Sequence, residues 1–349
     1  MRKDNEDVPL PILNTDAPDA PAPEPFAPNQ MVRCDECLRA NPPTRVNCLY
    51  CSVALPLSEA AVDLQKPALR PLEKWEQGYN NILLPPAANL TDENRAAAVD
   101  LLRLSGAELD RILSSEIPLP LARAATMDEA RLIKRRLSGL GIDSDIMPDP
   151  ESATDAAAIK VRALEIEEAG VFAYQTPETP AILVLWSEVL LLVVGRLIVR
   201  RVELKEQKGA RAENRILDSS EFVTDETVVD LYTRKHATPY RIKANSFDFS
   251  CLAESKGLLA GENISTLIKL IRDQAPQAEY DESFNSVRKA LEVVWPSERQ
   301  NESSGWRRER PGKYSIGSIM ELSNETQFQR YSRLRYHFRT GAKTKSDDA

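Results

Sequence analysis

The stretch that decides how this chain is organised is Cys34-Asp35-Glu36-Cys37, followed ten residues later by Cys48-Leu49-Tyr50-Cys51. Each C-x2-C turn aims two thiolates at one point. Two such turns complete the tetrahedral four-sulfur shell that Zn2+ prefers. All four positions are then filled by protein, leaving none for water or substrate, so Cys34, Cys37, Cys48 and Cys51 read as a structural zinc site. A redox dithiol pair and a rubredoxin-like iron site use the same ligands and stay open as other readings. Four clustered cysteines in a chain whose start shows no secretory pattern point to metal binding, not to a disulfide framework.

The finer spacing is C-x2-C-x3-N-x6-C-x2-C, with Asn41 in the middle slot. Residues 31–55 thereby resemble the short zinc fingers of the Ran-binding-protein type, and more loosely bacterial zinc ribbons. The resemblance implies that Asn41 braces the loop, and family members bind ubiquitin or single-stranded RNA. Val32 stands where the family places Trp, and Ser52 where Gly is common. The missing aromatic removes a platform on which a base would stack. Arg33, Arg39 and Arg45 are candidates for phosphate contact, weighed against an ordinary solvated surface.

The cluster is flanked by unlike segments. Residues 1–30 hold seven of the 24 prolines, with two basic and six acidic residues. Such a segment buries too little apolar surface to offset its ordering entropy, so it is expected to be a disordered leader. Residues 56–78 read as a linker. At the other end, 299–349 carries 11 Lys/Arg against six Asp/Glu, and is expected to be a basic, flexible tail. If it orders on a partner, Arg307, Arg308, Arg310, Tyr331, Arg333 and Arg335 are its expected anchors.

Between linker and tail the pattern predicts two domains, making the fold multidomain α+β. Over 79–149 the order is β-α-α-β-α-β. Thr91 caps the first helix, the pattern breaks near Gly106, prolines in Ile117–Leu121 suggest an edge strand, and Thr126-Met-Asp-Glu129 forms a capping box. This order resembles the C-terminal domain of the bacterial ribosomal stalk protein and the related Clp-protease adaptor, both non-enzymatic docking domains. Over 158–298 short apolar runs predict an antiparallel β barrel with C-terminal helices. These runs include a tight hairpin at 182–194 ended by Gly195, and a strand at Phe247–Cys251. An amphipathic helix with Ile264, Leu267, Ile268 and Ile271 on one face follows. The element order over 158–275 resembles a pleckstrin-homology-like barrel.

The 349-residue chain has a net charge of −8, which argues against a generic nucleic-acid binder. It has only two histidines, His236 and His337. His236 reads as solvated, Cys251 as a buried small residue, and Arg200-Arg201 with Arg234-Lys235 as solvated strand ends or an anion patch. No phosphate-binding glycine loop, HExxH or GxSxG motif occurs. The longest apolar run, Ala181–Val194, includes Glu188 and falls short of the roughly 20 residues a bilayer span needs. The expectation is a cytoplasmic, non-enzymatic zinc-containing scaffold or adaptor with a protein partner and no small-molecule substrate. Two alternatives remain: a nucleic-acid or ribosome-associated factor acting through finger and tail, and an enzyme with an unrecognised site.

Overall fold

The computed structural model describes residues 26–28, 31–45, 47–53, 55–56, 67, 69–73, 76–85, 90–150, 157–209, 215–310 and 313–341, with backbone alone at 205–209, 215–218, 304–310 and 313–317. The expected disordered leader at 1–30 lies, except for 26–28, outside the described residues, as does 57–66 of the expected linker. The chain divides into two compact units, Met1–Lys66 and Pro67–Ala349. The described part of the first unit carries a two-stranded antiparallel ribbon, β1 (Val32–Arg33) and β2 (Ala40–Asn41).

The second unit opens with β3 (Tyr79–Leu83), α1 (Asp92–Leu102), α2 (Gly106–Leu113), β4 (Pro120–Ala124), α3 (Met127–Gly139) and β5 (Ser144–Pro148). Local chemistry sets these boundaries. The Thr91 side chain caps α1 by accepting from the Asn94 N–H. The helix ends at Arg103, in the left-handed region at φ 55°, just ahead of Gly106, as the pattern predicts. Ser105 and Glu108 form a reciprocal capping box that starts α2. At α3, Thr126 accepts from the Glu129 N–H, while the Glu129 carboxylate reaches back to the Ala125 N–H. Strand order is β4-β3-β5, which puts the proline-bearing β4 at an edge.

The next elements are β6 (Ile159–Val161), β7 (Ala163–Ile166), β8 (Gly170–Tyr174), β9 (Ile182–Leu185), β10 (Val189–Gly209), β11 (Arg215–Thr233) and β12 (Tyr240–Lys243). Then come α4 (Ala260–Gln274), β13 (Glu279–Asp281), α5 (Phe284–Leu291), β14 (Glu298–Arg310), β15 (Lys313–Ser323) and α6 (Glu325–Thr340). The large sheet runs β14-β15-β10-β11-β12-β6, with β13 beside β10, and forms a curled half-barrel. It is not the expected antiparallel barrel, because β12–β6 and β10–β13 are parallel pairs. A separate sheet, β7-β8-β9, lies with α4 over one core.

The reason is visible in β10 and β11. Leu191, Val193, Val228 and Tyr232 belong to one buried core, while Leu192, Val194, Val229 and Leu231 belong to another. Strand side chains alternate between faces, so a sheet buried on both sides reads as a continuous apolar run. The first core contains α1 to α3, β3 and β4, together with Phe284, Trp295, Phe328 and Tyr331. Residues 79–149 therefore share their core with later elements, and the boundary drawn after 149 does not separate two cores. The expected 182–194 hairpin is also absent. A 3-10 turn at Trp186–Glu188 carries the chain from β9 in the small sheet to β10 in the large one. Phe247–Cys251 runs into a 3-10 segment, Phe249–Ser255, and not into a strand. Leu69 packs on the first core and Arg103 donates to its carbonyl, so this end of the expected linker is built into the fold.

Gly195 lies inside β10 and ends nothing. A Cβ there would meet the Phe328 ring at 2.6 Å and Phe284 at 2.9 Å. Gly195→Val is expected to lower stability by about 1–3 kcal/mol through overpacking, with Gly195→Ala milder. Thermal unfolding checks this, and unchanged midpoints would refute the close approach.

The tail departs furthest from the expectation of flexibility. Glu298–Arg310, Lys313–Ser323 and Glu325–Thr340 form β14, β15 and α6, and Phe328, Tyr331 and Leu334 are fully buried. Of the expected tail anchors, Tyr331 donates to Asp281 at 2.7 Å, and Arg335 is paired with Glu279 and Asp281. Arg307, Arg308 and Arg310 lie on β14, whose side chains there are not described. Residues 342–349 lie outside the described residues.

Candidate metal centre

The two C-x2-C turns are built alike. Leu38 N donates to Cys34 O at 2.8 Å, and Ser52 N to Cys48 O at 3.0 Å. Cys34 N donates to Arg39 O at 3.0 Å, and Cys48 N to Val53 O at 2.8 Å. The residue after each second cysteine sits in the left-handed region, Leu38 at φ 57° and Ser52 at φ 61°. That conformation costs a non-glycine residue roughly 1–2 kcal/mol, which explains why glycine suits the position. Ser52→Gly is expected to make metal release harder by about 1 kcal/mol, roughly fivefold in a chelator competition. An unchanged competition curve would refute the strain.

The four Sγ atoms lie within 4.8 Å of one another. Cys34–Cys51 and Cys37–Cys48 are each 3.5 Å apart. A tetrahedron with metal–sulfur bonds of about 2.3 Å has edges of about 3.8 Å, so the cage fits a metal ion of zinc size. Cys34 and Cys48 are buried and, with Leu55, form a small core.

Asn41 completes the frame. It is fully buried, and its Oδ1 accepts from Leu49 N at 2.8 Å. Its Nδ2 donates to Arg39 O at 2.9 Å and to Cys48 Sγ at 3.5 Å. One side chain thus ties the first turn to the second. Desolvation opposes ionisation of Cys48, but N–H groups of Tyr50 and Cys51 hold its thiol down at about 6. An N–H from Val53 favours the Cys51 thiolate, yet desolvation and the neighbouring sulfurs push that thiol up to about 12. Four thiols this close resist joint ionisation, and a bound cation removes that conflict.

This unit exposes large apolar side chains that the spacing did not announce. Leu38, Leu49, Tyr50 and Val53 are four of the nine exposed large hydrophobic residues among those described. Arg33, Arg39 and Arg45 are exposed, and the Arg39 guanidinium lies 4.6 Å over the Tyr50 ring.

The other candidates are dispersed. Cys251 is partly buried, and desolvation raises its thiol, the opposite of nucleophile activation. His236 is exposed. Arg200 pairs with Glu221 at 3.0 Å and Arg201 with Glu203 at 2.9 Å, while Lys235 pairs with Glu188. The suspected anion patch is therefore largely neutralised by its own neighbours. Among the described residues no helix is long and apolar enough to cross a membrane. Comparison with known proteins finds no matching family model, no matching curated protein and no matching solved structure, so the chain's own residues carry the reading.

Proposed function

We propose that this protein is a non-enzymatic adaptor whose finger, stabilised by one structural Zn2+ on Cys34, Cys37, Cys48 and Cys51, docks a protein partner. The observation that carries the reading is the group of exposed apolar side chains Leu38, Leu49, Tyr50 and Val53 on a unit of about 25 residues. Four exposed large apolar side chains are a high density for so small a unit, and exposed apolar surface favours protein contact. The finger belongs, on this reading, to the Ran-binding-protein type. RNA binding is the weaker alternative: Arg39 covers one face of Tyr50, and the buried Phe328 and Tyr331 are not offered for stacking.

The test compares wild type with Leu49→Asp/Tyr50→Ser, a surface variant that keeps all four cysteines and its metal. Quantitative affinity capture should lose a nuclease-resistant set of bound proteins in the variant. Capture unchanged by the substitutions, or abolished by nuclease, would contradict the adaptor reading. The alternative reading, an enzyme, draws on a separate observation, a cleft in the second unit lined by His337, Arg330, Arg333 and Asp149.

A further inference from the structure

The Pro67–Ala349 unit holds a cleft of about 1270 Å³. One wall is α6, which presents Thr326, Arg330, Arg333 and His337 at helical spacing. The lining also includes the apolar residues Leu102, Leu104, Val293 and Val294. Six arginines and four carboxylates line the space, in a chain that is acidic as a whole.

The charges are unevenly satisfied. Glu76 is engaged by Arg70 in a bidentate pair, and Asp149 by Arg123, Gly78 N and Asn80. On the opposite side of α6, Arg335 is paired with Glu279 and Asp281, and Arg339 with Glu279. Arg330 and Arg333 differ: neither forms an ion pair among the described residues, though both are partly buried. The Arg333 Nη1 is buried without a hydrogen-bond acceptor. Burial disfavours the charged form of Arg330, with Arg123 adding repulsion against the attraction of Asp149 and Glu298. Residues three apart on a helix lie on one face, so both guanidiniums can converge on one anion.

We propose that this cleft binds an organic phosphate, its phosphoryl group held by Arg330 and Arg333 and its apolar body against Leu102, Leu104, Val293 and Val294. A guanidinium fork matches phosphoryl oxygens two at a time. A phosphoryl dianion balances both arginines and offers three acceptor oxygens, whereas one carboxylate balances one charge. Burial disfavours protonated His337, with Asp145 attracting and Arg333 repelling, and the ring lines the same cleft. The apolar lining residues supply contacts that inorganic phosphate cannot use. This site is independent of the finger's role.

The test is calorimetric titration of the full chain with phenyl phosphate, inorganic phosphate and benzoate. Phenyl phosphate should bind saturably, about tenfold tighter than inorganic phosphate because its ring leaves water, and tighter than benzoate. Arg330→Gln/Arg333→Gln should weaken phenyl phosphate at least about tenfold, the loss of charge-assisted hydrogen bonds, while Arg339→Gln leaves it unchanged. The unfolding midpoint of each variant establishes that it is folded, and each single substitution carries the comparison if the pair fails to fold. No saturable binding, equal affinity for benzoate, or undiminished binding by the folded variants would overturn the proposal. Tighter binding of a glutamate-rich peptide or of single-stranded RNA would reassign the cleft and overturn it equally.

Discussion

Asp230→Ala is expected to destabilise the Pro67–Ala349 unit by about 3–5 kcal/mol, the cost of stranding one member of a buried ion pair. Asp230 is fully buried on β11, and Arg241 on β12 meets both its carboxylate oxygens at 2.7 Å. Ser332 on α6 donates to the same carboxylate at 2.7 Å, and Tyr232 shares a 2.9 Å hydrogen bond with Ser332. Removing Asp230 leaves the Arg241 guanidinium with Glu325 at 3.5 Å as its remaining carboxylate, and removes one of the hydrogen bonds that tie α6 to the sheet. Asp230→Leu/Arg241→Met should lose less than Asp230→Ala, because it removes both charges. All four tryptophans lie in this unit, so urea unfolding followed by their fluorescence reads it directly. A single substitution no more harmful than the double one would show that the pair does not hold the tail in place.

The second large effect is expected in the other unit. Cys48→Ser should abolish metal binding and unfold residues 31–55, because metal binding supplies most of the folding free energy of so small a unit, with apparent values of about 10–16 kcal/mol in isolated fingers. Cys48 is at once a candidate ligand, an acceptor for Asn41 and Tyr50, and part of the small core with Cys34 and Leu55. The tryptophan-reported unfolding midpoint should stay at its wild-type value, because the finger contains no tryptophan and the chain divides at Lys66. A large shift in that midpoint would contradict the division into two units.

What was legible in the sequence was local. The cysteine spacing encodes a cage whose ligands are at most 17 residues apart. The caps at Thr91 and Thr126 lie within one turn of the groups they bind. What was not legible depended on distant pairing. The run through Leu190–Val194 announces burial but not that its two faces serve different cores. The basic tail looked solvated because its charges are plain in the sequence, while the partner of Ser332 is 102 residues away. Arg330, Arg333 and His337 share a helical face, yet their spacing becomes informative only once α6 is known to border a cleft. The exposed apolar side chains of the finger are hidden in the sequence for a different reason: Leu49 and Tyr50 sit between two candidate metal ligands, where the spacing carries no sign of their exposure.

The most direct test of the central claim is the metal content and sulfur coordination of the purified full chain. Elemental analysis combined with X-ray absorption at the metal edge should give one zinc per chain, bound by four sulfurs at about 2.3 Å. Cys48→Ser should contain none. Iron in place of zinc, a metal-free protein whose finger is folded, or an oxygen or nitrogen ligand in the shell would contradict a closed, structural four-thiolate zinc centre.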